Sequence, residues 1–161
     1  MKPTAKNSKQ NRLAIIGLIV ILFVVLNKLL FNLLGSSDTV SQAYPFVKYV
    51  KDYFFTHFKI PGWFPYLQGG FPEGNGTPYP NLYFILTFYL FPVAVSSNVR
   101  FFIAFALMGV FSFLYLRHKK FDIQISFFGA LALMFASCYV SFITPGHDPK
   151  VFIIALIPLL L

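Results

Sequence analysis

Charge is what this sequence has least of. Asp, Glu, Lys and Arg make up 11% of its 161 residues, where a soluble domain carries about 25%, so too little polar surface exists to keep a compact globule in water. Cysteine is nearly absent as well. Cys138 stands alone inside an apolar run, which excludes a disulfide framework or a thiol metal cluster and leaves it a packing residue. No Asp-x-Asp or Glu-x-Asp pair occurs, so a firmly bound divalent metal has no support and no cofactor is implied. Gly69-Gly70 and Gly74-Asn75-Gly76 mark tight turns, yet no strand-to-helix unit follows them to make a nucleotide-phosphate loop.

What the chain has instead is apolar material in long blocks: 57% of the residues are hydrophobic. Amphipathic spacing, the mark of a soluble core, is not how they are arranged. The reading is an all-α integral membrane protein, a polytopic helical bundle with a large extracytoplasmic first loop that carries an amphipathic helix. Residues 1–12 form a basic tail with Lys2, Lys6, Lys9 and Arg12, and residues 13–34 form a first span long enough for a hydrocarbon core of about 30 Å. Charge followed by an apolar run imitates a signal peptide, but the run exceeds an h-region and no A-x-A site follows, so it is read as a retained helix. Lys28 lies near its far end, where it can snorkel to the interface.

Residues 35–81 are rich in Pro, Gly and aromatics. Within them the stretch 45–58 places Val47, Val50, Phe54 and Phe58 on one side and Lys48, Lys51 and Asp52 on another, the stripe of a helix lying in the membrane surface with its lysines toward headgroups. Residues 82–95, interrupted by Pro92, are short for a span; 101–116 and 125–144 are longer apolar runs. Residues 145–150 make a short polar loop, and 151–161 start a further span. That final run ends without a polar anchor, so the chain is expected to continue in a longer protein.

The net charge of +8 sits in clusters beside the apolar runs. This is a membrane topology signal and argues against a nucleic-acid partner. The basic tail places the N-terminus of this multi-pass protein in the cytoplasm. If 82–95 crossed the bilayer, Arg117-His118-Lys119-Lys120 would fall outside, against the positive-inside rule. If it is re-entrant or interfacial the cluster lies inside, and Gly146-His147-Asp148-Pro149-Lys150 shares the outer face with the first loop. The second arrangement is preferred.

The outer loop holds most of the polar chemistry. Asp38 follows the first span at the interface, where partial desolvation raises a carboxylate's basicity. Such a group serves either as a general base or as the cap of the following helix. Lys48, Lys51, Lys59 and Lys150 offer charge either to a phosphate or to headgroups. His147 and Asp148, between Pro145 and Pro149, are either functional or a polar turn between spans. The 22 Phe and 9 Tyr either line a groove for an isoprenoid chain or form interfacial belts. Trp63, Tyr66 and Tyr79, in the Pro/Gly-rich loop, are better placed for sugar or lipid contact than aromatics within spans.

These motifs come in a recognisable order. An acidic residue after the first helix is followed by Gln42-Ala-Tyr44-Pro-Phe, Trp63-Phe-Pro65, Gly69-Gly-Phe-Pro72 and Tyr79-Pro80, and later by Gly146-His147-Asp148-Pro-Lys150 before a proline-containing apolar run. Over roughly residues 13–161 the chain resembles the YfhO-type bacterial membrane proteins, which are similar to the C-type glycosyltransferases (GT-C). The resemblance implies transfer of a sugar from a polyprenyl-phosphate donor to an extracytoplasmic acceptor. It assigns Asp38 as base, His147 and Asp148 as a second polar group of the outer face, and Gln42, Tyr44, Trp63, Tyr66, Tyr79 and Lys150 as substrate contacts. The alternative is a non-enzymatic membrane protein, a transporter subunit or an assembly partner in polysaccharide export. Scarce ionisable groups within the spans weigh against transport, and the oligomeric state is left open.

Overall fold

A computed structural model describes residues 5–31, 44–59, 61–65, 70–72, 90–143 and 147–161. Asp38, Gln42, Tyr66, Tyr79 and the segment 82–89 lie outside the described residues. Helix α1 spans Ala5–Phe31 and α2 spans Tyr44–His57. A two-residue antiparallel ladder follows, β1 (Trp63–Phe64) with β2 (Phe71–Pro72). Then come α3 (Val93–His118), α4 (Ile123–Met134), the single turn α5 (Ser137–Val140), a 3-10 turn at Ser141–Ile143, and α6 (Asp148–Leu160). The architecture is helical, and the small ladder in the first loop is an addition that the all-α expectation did not contain.

Among the described residues three helical stretches are long and apolar enough to cross a bilayer: Ser8–Lys28, Asn98–His118 and Ile123–Ile143. Their outward faces confirm the solvent. On α1, Leu13, Ile16, Val20, Phe23, Val24 and Val25 are all exposed. On α4, Phe128 is 67% exposed, and on α6, Ile153 is 65% exposed. A soluble protein rarely shows apolar surface this continuous, whereas lipid is as apolar as leucine and imposes no penalty on it. The chain is a membrane protein.

Element ends shift from those expected, for local reasons. Helix α1 starts at Ala5 rather than Leu13, so the basic tail is largely helical; Lys, Gln, Asn and Ser side chains there do not oppose a helix once apolar turns extend it. Helix α3 starts at Val93, before the expected 101, because Pro92 stands as its N-cap with φ −55° and cannot itself continue a helix backward. The expected span 125–144 is a helix from Ile123 that breaks at Phe135, then resumes at Ser137 and tightens to a 3-10 turn. Ser141 Oγ donates to the Cys138 carbonyl at 2.9 Å in that stretch, a local bond that competes with the helical ladder. Asp148 to Lys150, expected in a loop, form the first turn of α6, with Pro149 in the first helical positions, where its missing N–H costs nothing.

The relative directions of the helices follow from particular pairs. Arg117 Nε donates to Asn11 Oδ1 at 3.2 Å, and the Phe23 and Phe102 rings meet edge to face at 6.4 Å, so α1 and α3 are antiparallel. A Cβ on Gly109 would come within 2.7 Å of Met134 Sδ, and one on Gly129 within 2.8 Å of Leu116 Cδ1. Those pairs make α3 and α4 antiparallel, and small residues let their backbones approach closely. Gly17 faces Phe127, so α1 and α4 run the same way. Helix α6 runs with α3, because Ile157, Pro158 and Leu161 share a cleft with Ser112, Tyr115 and Leu116.

The core is made where these helices converge. Leu18 and Leu22 of α1, Phe101, Phe105, Met108 and Phe113 of α3, Ala130 and Met134 of α4, and Val151 and Ala155 of α6 form one buried cluster. Two ends of the bundle result. One carries Asn11, Arg117 and Lys119; at the other, α1 ends, α3 begins and α6 begins. The segment between α1 and α3 therefore leaves from and returns to the same end.

Candidate functional site

The end at which α3 and α6 begin gathers most of the described polar groups, and three elements build it. The first is α2. Its residues Lys48, Tyr49, Asp52, Tyr53 and Thr56 recur at helical spacing on one face and, with Pro45, line a shallow groove of about 470 Å³. Lys48 Nζ donates to Asp52 Oδ2 at 2.7 Å. That carboxylate, by its hydrogen bond and then by its charge, holds the Lys48 ammonium above the usual lysine range. Both side chains are exposed, so the pair organises the surface and stabilises α2 little. Tyr53 stacks on His57 with centroids at 4.2 Å.

Helix α2 is held to its neighbours by two bonds. Lys51 Nζ donates to the Phe91 carbonyl at 2.9 Å, just before α3, and Tyr49 Oη donates to the Trp63 carbonyl at 3.1 Å. The Lys51 bond to the carbonyl ahead of Pro92 ties α2 to the start of α3. Val50 is buried beneath it.

The ladder fixes Trp63. Gly70 has φ +97°, and a Cβ there would fall 2.5 Å from Trp63 Cζ2, so glycine is required both by the turn and by the indole lying on the backbone. Trp63 remains 51% exposed, which leaves one indole face available for contact. Tyr44, at the start of α2, is also exposed.

The second element is the first two turns of α3, and the sequence reading missed it. Ser96, Asn98 and Arg100 are each 1% exposed. Arg100 Nη1 donates to Ser96 Oγ at 3.5 Å, one helical turn back. A buried guanidinium at the start of a span is costly unless it is paired, and such residues concentrate at functional sites. The signal was available: Ser96, Asn98 and Arg100 interrupt an otherwise apolar region at 92–116, but their charge was absorbed into the interface between two presumed segments.

The third element is the start of α6. Lys150 Nζ lies 3.2 Å from His147 Nδ1 and 5.9 Å from the Phe142 ring centroid. An ammonium can only donate, so Nδ1 is the acceptor of this pair. His147 and Lys150 therefore act as a unit. The Asp148 backbone opens α6 immediately beside them. No group of three or more His, Cys, Asp or Glu side chains able to hold a metal ion occurs among the described residues.

Of the residues expected to form a site, Tyr44, Trp63, His147 and Lys150 are described with their side chains, and Asp148 by its backbone. Tyr44 and Trp63 belong to the α2 and ladder region, His147 and Lys150 to the α6 start; no direct contact joins the two pairs among the described residues. What unites them is the end of the bundle to which α2, α3 and α6 converge. Comparison with known proteins returns no matching family model, no matching curated protein and no matching solved structure.

Proposed function

We propose that this membrane protein is a glycosyltransferase of the GT-C kind, taking a sugar from a polyprenyl-phosphate donor and passing it to an acceptor at the membrane surface. The observation that carries the reading is the meeting of cations with aromatic rings at one bundle end. Lys51, Arg100 and Lys150 lie at that end with the Tyr49 and Tyr53 rings, while the lipid-facing helices lead a long apolar donor toward them. Transfer needs three things. Cations stabilise the leaving phosphate as its charge develops. Tyr49, Tyr53 and Trp63 offer flat faces to a sugar. A carboxylate takes the acceptor proton; Asp38 fills that role, with Asp148 and His147 as the second polar group, and base assistance is worth about 10²–10⁴ in rate.

In this reading the end with α2 is extracytoplasmic and the end with Arg117 to Lys120 cytoplasmic, as the positive-inside rule asks. The membrane is the bacterial inner membrane. The return of the chain to the same bundle end before α3 supports that assignment. A transport role is the second reading, favoured by one observation: Arg100 is a buried charge at the mouth of a span.

The test is Asp38→Asn in membranes supplied with a radiolabelled polyprenyl-phosphate hexose. Transfer should vanish while the protein still inserts and reaches wild-type levels. Full transfer by this variant removes Asp38 from the mechanism, and no transfer by the wild-type chain, joined to solute uptake that depends on Arg100, selects the transport reading.

A further inference from the structure

At the opposite end of the bundle a second set of groups stands outside everything proposed above. Helices α3, α4 and α6 leave an apolar cleft of about 280 Å³ between them. Leu133 and Ile157, both partly exposed, form its mouth, and Tyr115, Leu116 and Leu161 lead toward the end of α3. Ser112 lines it too. Its side chain is only 4% exposed, and its Oγ has no hydrogen-bond partner. A buried hydroxyl that declines even the carbonyl one turn back is costly, so it points to a missing acceptor or donor.

The cleft opens beside a basic turn. Arg117, His118, Lys119 and Lys120 follow Tyr115 and Leu116, with Asp122 as the sole acid in the turn. Arg117 is engaged with Asn11 and the Phe121 carbonyl. His118, Lys119 and Lys120 are exposed, and Lys119 Nζ lies 5.2 Å from the Tyr115 ring centroid, on the same side as the cleft. Lys120 has φ +66°. Its N–H donates to the Arg117 carbonyl at 3.1 Å and the Phe121 N–H to the Leu116 carbonyl at 3.1 Å, a helix-ending motif in which glycine is usual. A lysine is kept there against its backbone preference, which adds an ammonium to the turn.

We infer that this cleft and turn form a binding site for one anionic phospholipid, its phosphate on Lys119 and Lys120 and the upper part of one acyl chain between α4 and α6. Depth supports the assignment. Ser112 lies about 10 Å along α3 from Lys119 at 1.5 Å per residue, and a headgroup layer is about 5–7.5 Å thick, so with the phosphate on the lysines the cleft reaches into the top of the hydrocarbon, where an acyl chain begins. The volume, at the small end of the usual ligand range of about 300–1,000 Å³, suits part of a chain rather than a whole lipid. Charge complementarity selects phospholipid over a neutral one, as basic pockets between membrane helices do elsewhere.

The full chain, purified and placed in nanodiscs of phosphatidylglycerol and phosphatidylcholine, tests this by native mass spectrometry of the lipid retained after detergent release. The wild type should retain phosphatidylglycerol about 25-fold over phosphatidylcholine, at about 1 kcal/mol or fivefold for each of the two lysines. Lys119→Gln with Lys120→Gln should lose about 25-fold, each lysine supplying its factor. Ile157→Trp, which fills the cleft and leaves every charge in place, should abolish the preference; Leu133→Trp does the same from the other wall should the first variant fail to fold. Equal retention by the filled variants and the wild type reduces the effect to general surface attraction and overturns the site. So does displacement of the lipid by millimolar inorganic phosphate, which would mark a free-anion site. A disulfide between two copies of an Ile157→Cys variant would make the cleft a dimer seat, and would overturn the lipid assignment as well.

Discussion

The antiparallel placement of α1 and α3 decides which polar groups share a side of the membrane, and one contact tests it. Arg117 Nε donates to Asn11 Oδ1 at 3.2 Å in a partly buried setting. A hydrogen bond from a charged donor contributes about 1.5–3 kcal/mol when buried. Here half the benefit is lost to exposure, and interhelical polar contacts in membrane proteins average about 0.6 kcal/mol with a maximum near 1.7. The coupling should therefore be about 1 kcal/mol. Arg117→Ala alone should cost more, about 2 kcal/mol, because the same guanidinium also holds the Phe121 carbonyl at the end of α3. Asn11→Ala should cost about 1 kcal/mol. A double-mutant cycle on reversible unfolding in mixed micelles, followed by helical circular dichroism, measures the coupling. Additivity of the two single changes within about 0.3 kcal/mol would show that these residues do not meet, and with that the common side of the N-terminal tail and the 117–120 turn would lose its support.

Two further predictions concern the loop. Gly70→Ala forces a side chain into the left-handed region at about 1–2 kcal/mol and into the Trp63 indole, so it should free the tryptophan and shift its emission to the red; an unchanged spectrum would mean that the ladder does not hold Trp63. The Lys48–Asp52 pair has a defined pH window. A lysine whose folded value lies above the ordinary 10.5 stabilises the fold at pH below that value and loses the contribution as pH rises through the raised one. The helicity of α2 should then fall as pH rises beyond 10.5 in the wild type and show no pair-dependent fall in Asp52→Asn; identical titrations would deny the pair any part.

Much of the molecule is legible from the residues alone. The three long helices, and the span-breaking Pro92, follow from runs of Leu, Ile, Val and Phe that water cannot accept and that lipid demands be hydrogen-bonded within themselves. The α2 stripe is legible because Val47, Val50 and Phe54 recur near the 3.6-residue period on one side and Lys48, Lys51 and Asp52 on another. Asp38, the residue on which the proposed chemistry rests most, was legible only as a type at a place: a carboxylate just beyond the first span.

Other features were decided only by tertiary packing. That Arg100 is buried, with its guanidinium on Ser96, is a result of packing around the start of α3, and nothing in the local string at 96–100 distinguishes an interfacial arginine from an enclosed one. The pairing of Gly109 with Met134 and of Gly129 with Leu116 likewise appears in no repeat spacing, since each glycine is single in its helix. A hydropathy pattern fixes which solvent a segment needs and how its backbone closes its own bonds. Which face meets which neighbour is settled by the shapes of side chains far apart in sequence, and from that meeting come the common end of α2, α3 and α6 and the cleft beside the basic turn.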